Sequence, residues 1–182
     1  MAKILAAHTK APSTDWAAYT LVVGAVTTAP TEGSGVVKSA LWRRNGDSIE
    51  IRYNYSHTGA GSSGSGIYKF PMPVVSGNQV VIDTTKITAS ATTLGVFGTA
   101  CGTGHMGEAD TSAGMKPVTV VPYDTTNLRL STDVSGTVTQ PWGSAQTNSY
   151  ADPTLMYSFE ARVPIVGWSA NDTLRTSDGT KI

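Results

Sequence analysis

Residues 39–55 read Ser39-Ala40-Leu41-Trp42-Arg43-Arg44-Asn45-Gly46-Asp47-Ser48-Ile49-Glu50-Ile51-Arg52-Tyr53-Asn54-Tyr55. Asn45-Gly46 tolerates the positive φ values of a tight type I′ turn. After it, Ile49, Ile51, Tyr53 and Tyr55 alternate with Glu50, Arg52 and Asn54. Successive side chains of a strand point to opposite faces, so this period of two predicts a half-buried β-strand. Leu41 and Trp42 supply apolar bulk before the turn, and the stretch reads as a β-hairpin on which a larger sheet is built.

The rest of the chain supports an all-β reading. Thr154 to Trp168 holds the longest alternation, with Leu155, Tyr157, Phe159, Ala161 and Val163 on one side and Met156, Ser158, Glu160 and Arg162 on the other. It belongs centrally in the sheet. Further strands are expected at 21–26, 67–70 (stopped by Pro71 and Pro73), 79–83, 92–101 and 134–140, and as a hairpin of 117–121 with 127–131 around Pro122-Tyr123-Asp124-Thr125. Residues 27–35, 58–66, 102–116 and 141–152 read as Gly-rich or polar loops. Short strands separated by turn signals, without an amphipathic helix, predict a β-sandwich or barrel.

Composition narrows the function. The chain has 182 residues, room for one domain with a short arm. Charged residues make up only 14%, with 13 basic and 13 acidic side chains and no net charge. No basic block exists to neutralise phosphates, so nucleic acid is not an expected partner. No run approaches the ~20 apolar residues of a membrane span, so membrane insertion is not expected. The one cysteine, Cys101, precludes an intrachain disulfide. The short apolar run at the N-terminus is unlike a signal peptide, which implies synthesis in a cytoplasm.

Chemical motifs are weak. Gly59-Ala60-Gly61-Ser62-Ser63-Gly64 and Gly102-Thr103-Gly104-His105-Met106-Gly107 match the dinucleotide fingerprint, but neither opens a helix that could hold a pyrophosphate. Cys101, His105, Glu108 and Asp110 lie close in sequence, yet they lack the spacing of a zinc site and reads more simply as a small buried thiol and a loop histidine. Asp47, Glu50, Asp83 and Glu160 are scattered. We therefore expect no enzyme, no cofactor and no metal. Arg43 and Arg44 beside Trp42 form either a stacked patch or a core tryptophan with solvated arginines. Tyr123, Trp142 and Tyr150 fall in loops, where they either stack on sugar rings or bury in a subunit interface. Trp16 and Tyr19 are two aromatic anchors in an N-terminal arm, unless that terminus frays.

Four stretches resemble one family. Leu41 to Tyr53 is similar to the opening of a β-rich module of tailed-phage virion proteins, often written Trp-Arg-Arg, a variable residue, then Gly-Asp. Ile82-Asp83-Thr84-Thr85-Lys86, Val120-Val121-Pro122-Tyr123-Asp124 and Ser158 to Trp168 fit the same module in order. The resemblance spans about residues 36–170 and implies an antiparallel jelly-roll sandwich that trimerises like C1q- or TNF-type heads, with no catalytic residues to carry over. The expected organisation is an arm and lead-in strand at 1–35, a jelly roll at 36–170 and a loose tail at 171–182. The expected role is a phage capsid-decoration or head-fibre subunit made in the bacterial cytoplasm and carried on the virion. Its arm, through Trp16 and Tyr19, would dock on the major capsid protein or another virion protein, with host adhesion as an added role. The alternative is a tail-fibre receptor module that reads host glycan through Tyr123, Trp142 and Tyr150. Trp42, Ile49, Ile51, Tyr53, Tyr55, Leu155, Tyr157, Phe159 and Val163 would form the core or the threefold interface.

Overall fold

A computed structural model describes residues 13–89, 98–108, 115–133, 139–144 and 148–168. The expected strand at 92–101, much of that at 134–140, residues 1–12 of the arm and the tail from 169 lie largely or wholly outside them. Among the described residues there are twelve strands: β1 (Ala17–Ala18), β2 (Gly24–Ala25), β3 (Val37–Asn45), β4 (Ser48–Ser56), β5 (Tyr68–Pro71), β6 (Val74–Val75), β7 (Asn78–Gln79), β8 (Gly102–Glu108), β9 (Lys116–Pro122), β10 (Asn127–Asp133), β11 (Thr139–Pro141) and β12 (Leu155–Pro164).

The chain is all-β and antiparallel. Its main sheet runs β1-β3-β4-β12-β8-β9-β10-β5-β2, with β11 beside β10, and β6 and β7 form a separate small hairpin. This sheet is strongly curled into a half-barrel. The curl is visible in ring contacts: β4 and β5 stand five places apart in the order, yet Tyr53 and Phe70 meet edge-on at 6.3 Å. One sheet therefore folds its apolar face onto itself.

The opening hairpin forms, with Asn45 opposite Ser48. Its two loop residues are Gly46 and Asp47, one step later than Asn45-Gly46. Gly46 alone of the two has positive φ (67°), the pattern of a type II′ turn and not the expected I′. An I′-like pair with both φ positive occurs instead at Ser76-Gly77, between β6 and β7. Ile49, Ile51, Tyr53 and Tyr55 are buried, and so are Leu155, Tyr157, Phe159, Ala161 and Val163 on β12, the direct neighbour of β4.

The largest difference from the sequence reading is β8. Residues 102–108 form a central strand between β12 and β9, not a loop. Gly102 and Gly104 face the core, and a Cβ on either would lie 2.0 Å from the carbonyl oxygen of Glu160 or Ser158. Glycine is required there because the neighbouring backbone comes too close for any side chain.

The loops at 27–35 and 58–66 hold one another. Thr28 bridges Ser65, Thr31 bridges Ser62 and Ser34 bridges Gly59. The contacts recur every third residue, where a β-ladder would place them every second, so composition alone reads both segments as free loops.

Candidate functional site

The predicted site residues fall into three places. The first is the interior. Trp142 and Tyr150 are fully buried, so neither presents a ring to a sugar. Trp142 stands edge-on to Tyr68 at 4.8 Å and stacks with Tyr150 at 6.0 Å, and its indole N–H donates to the Asn148 carbonyl at 2.8 Å. The Tyr150 and Tyr157 hydroxyls are hydrogen-bonded to each other. Tyr123 is half-buried at the β9–β10 turn, 5.8 Å from the Lys69 ammonium. Trp42 is half-buried on the inner face opposite Ile51.

His57, which no motif singled out, clamps this interior to the loops. Its Nδ1 accepts from the Gly33 N–H (3.3 Å), with the Tyr55 hydroxyl also at 3.1 Å, while Nε2 lies 2.7 Å from the Asp152 carbonyl. A carbonyl only accepts and an amide N–H only donates, so the ring is the neutral tautomer with its proton on Nε2. The period-two pattern of β4, continued through Ser56, is the signal that could have marked His57 as inward.

The second place is a corner where three of the family-like stretches meet. The Ile165 N–H donates to the Asp47 carbonyl (2.8 Å), and the Asp83 N–H donates to the Pro164 carbonyl (2.9 Å). The Lys86 ammonium lies 3.1 Å from the Asp47 carboxylate and 3.6 Å from that of Asp83. Hydrogen bonds from Ser48 and Lys86 hold the Asp47 carboxyl below its usual range.

The third place is the outer face of β4, β12 and β8. Register sets Arg52 beside Glu160 and Thr103, and Asn54 beside Ser158 and His105. Three concavities of about 400, 270 and 270 Å³ follow one another along it. The first two share Arg52, Thr103 and Glu160, and the second and third share Asn54 and Ser158, so they form one trough. Trp16 walls one end, with the Arg52 and Arg43 guanidiniums 4.5 and 4.7 Å from its ring centre. Val37, Met115 and Met156 line the other end.

The arm anchors therefore pack on their own sheet. Residues 13–19 run along β3: Thr14 and Arg44 are hydrogen-bonded through both backbone and side chain, and β1 pairs with Leu41 and Trp42. Tyr19 turns inward, and burial raises its phenol pKa well above the usual value.

The trough carries more guanidinium than carboxylate. Arg43 pairs with Glu50 at 2.6 Å and Arg52 with Glu160 at 3.0 Å. Hydrogen bonds from Asn45 and then Arg43 keep Glu50 ionised below the ordinary range. Arg162 is exposed and stands across from Glu50 in the β12–β4 register, where its charge also helps to lower the Glu50 carboxyl. Cys101 borders the trough, but burial pushes its thiol up to about 12, and the thiol bonds to the Val120 carbonyl at 3.4 Å. A thiol so held is a poor nucleophile. Among the described residues no three His, Cys, Asp or Glu side chains group as metal ligands. Glu108 lies on β8, and Asp110 lies outside the described residues.

Comparison with protein-family models, with curated proteins and with solved structures found no match.

Proposed function

We propose that this chain is a non-enzymatic structural protein of a tailed-phage virion, a capsid-decoration or head-fibre subunit displayed as a homotrimer of jelly-roll-type heads. The observation that carries the reading is the corner at Asp47. The Trp-Arg-Arg-x-Gly-Asp turn, the Ile-Asp-Thr-Thr-Lys segment and the Val-Pro-Ile-Val-Gly-Trp ending lie far apart in sequence and are joined there by backbone hydrogen bonds and ion pairs. Residues that resemble one family in order and also brace one another are what a single inherited module would carry. The neutral, charge-poor chain suits a subunit packed among others.

The test is antibody labelling of purified particles from a lysate in which the chain is expressed from its own phage. Label on the particle surface is expected. A chain found only in the soluble fraction overturns the reading.

A second reading is a receptor-binding module for host-surface carbohydrate. The trough favours it, with an indole at one end and amide, hydroxyl and guanidinium groups along its floor.

A further inference from the structure

We propose that the outer trough of β4, β12 and β8 binds a strand of acidic, carboxylate-bearing polysaccharide. The proposal rests on the carbohydrate reading and names its ligand class and site.

Shape is the first argument. Three concavities joined through shared walls make a groove that follows the strands, suited to a linear chain of several sugars and not to one small molecule. Chemistry is the second. Trp16 offers an apolar wall for the C–H face of a sugar ring, and its two arginine contacts hold it in place. Asn54, Ser158, Thr103 and His105 follow along the midline with groups that donate to and accept from hydroxyls. Charge is the third. Arg43, Arg52 and Arg162 face Glu50 and Glu160, and the first two arginines are already paired. Arg162 shares Glu50 with Arg43, so three guanidiniums face two carboxylates, and the exposed Arg162 can offer an incoming carboxylate the forked geometry that guanidinium favours.

Binding of alginate oligomers, a linear polyuronate, is measured by calorimetry on the whole chain, with dextran as the neutral control and dextran sulfate as a generic polyanion. Saturable binding to alginate and none to dextran is expected. Arg162→Gln and Trp16→Ala should each weaken it by about tenfold, the size of one lost charge-assisted hydrogen bond or stacking contact. Ser158→Tyr, which fills the midline without changing charge, should abolish it while the melting temperature stays near that of the parent. Three results overturn the inference: no alginate binding, binding of all polyanions alike that ignores the three substitutions, or a native mass that falls on Ser158→Tyr in a chain silent toward alginate. The last would mean a second copy fills the trough. A particle-displayed trimer that ignores alginate loses this inference and keeps the display reading.

Discussion

Arg44 lies over Trp168, its guanidinium 4.8 Å from the indole ring centre. The pair joins the second arginine of the opening hairpin to the last aromatic of the chain's final strand region. Together with the Asp47 carbonyl, which accepts from Ile165, it ties the opening hairpin to the segment that follows β12.

Gly46 makes that corner possible. Its φ of 67° lies in the left-handed region, so Gly46→Ala should lower unfolding stability by about 1–2 kcal/mol. Urea denaturation with an unchanged slope would show this, and an unchanged midpoint would contradict the turn geometry.

Trp142→Ala removes a fully buried ring at the centre of the aromatic cluster. A loss of about 3–5 kcal/mol is expected. A loss below about 1 kcal/mol would instead place this indole at the surface.

Gly104→Ala tests the reassignment of residues 102–108. Its Cβ would meet the Ser158 carbonyl oxygen at 2.0 Å, prying β8 from β12. Destabilisation of about 3 kcal/mol or more follows from such overpacking. Thermal melting of the purified variant measures it, and a native-like melt would contradict the pairing.

The tyrosines make the protein sensitive to alkali. Burial pushes the Tyr53 phenol up to about 12 from an ordinary 10.0, and it raises Tyr19, Tyr55, Tyr68, Tyr150 and Tyr157 as well. The fold prefers the protonated phenol, so this contribution is whole below pH 10.0 and is lost as pH rises through about 12. Tyrosinate absorbance and circular dichroism should change together in that window. Full ionisation near pH 10 with the sheet intact would contradict the burial.

How much was legible follows from where side chains alternate. β4 and β12 were readable because each buries one face and wets the other. β9 and β10 were readable from the Pro122 to Thr125 turn between them. β8 was not, because Gly102 and Gly104 remove the apolar signal at inward positions where neighbouring backbone leaves no room for a side chain. Trp142 and Tyr150 sit among serines, asparagine and glutamine, and only the curl of the sheet brings them inside. The trough was half legible. Arg52 and Glu160 were expected on outer faces, but Trp16 joins them only because residues 13–19 extend the β3 register.

Trp16 and Tyr19 are engaged with their own sheet, so under the proposed display reading the particle contact of the arm is assigned to residues 1–12. Deleting residues 1–12 leaves every contact described above in place and should yield a folded protein that no longer joins particles. Normal incorporation of the truncated chain would contradict arm-mediated docking.

The most direct test of the displayed-homotrimer account is the native mass of the purified chain by light scattering. The account predicts three times the 19.0 kDa chain mass. A mass of one chain at every concentration measured would contradict it.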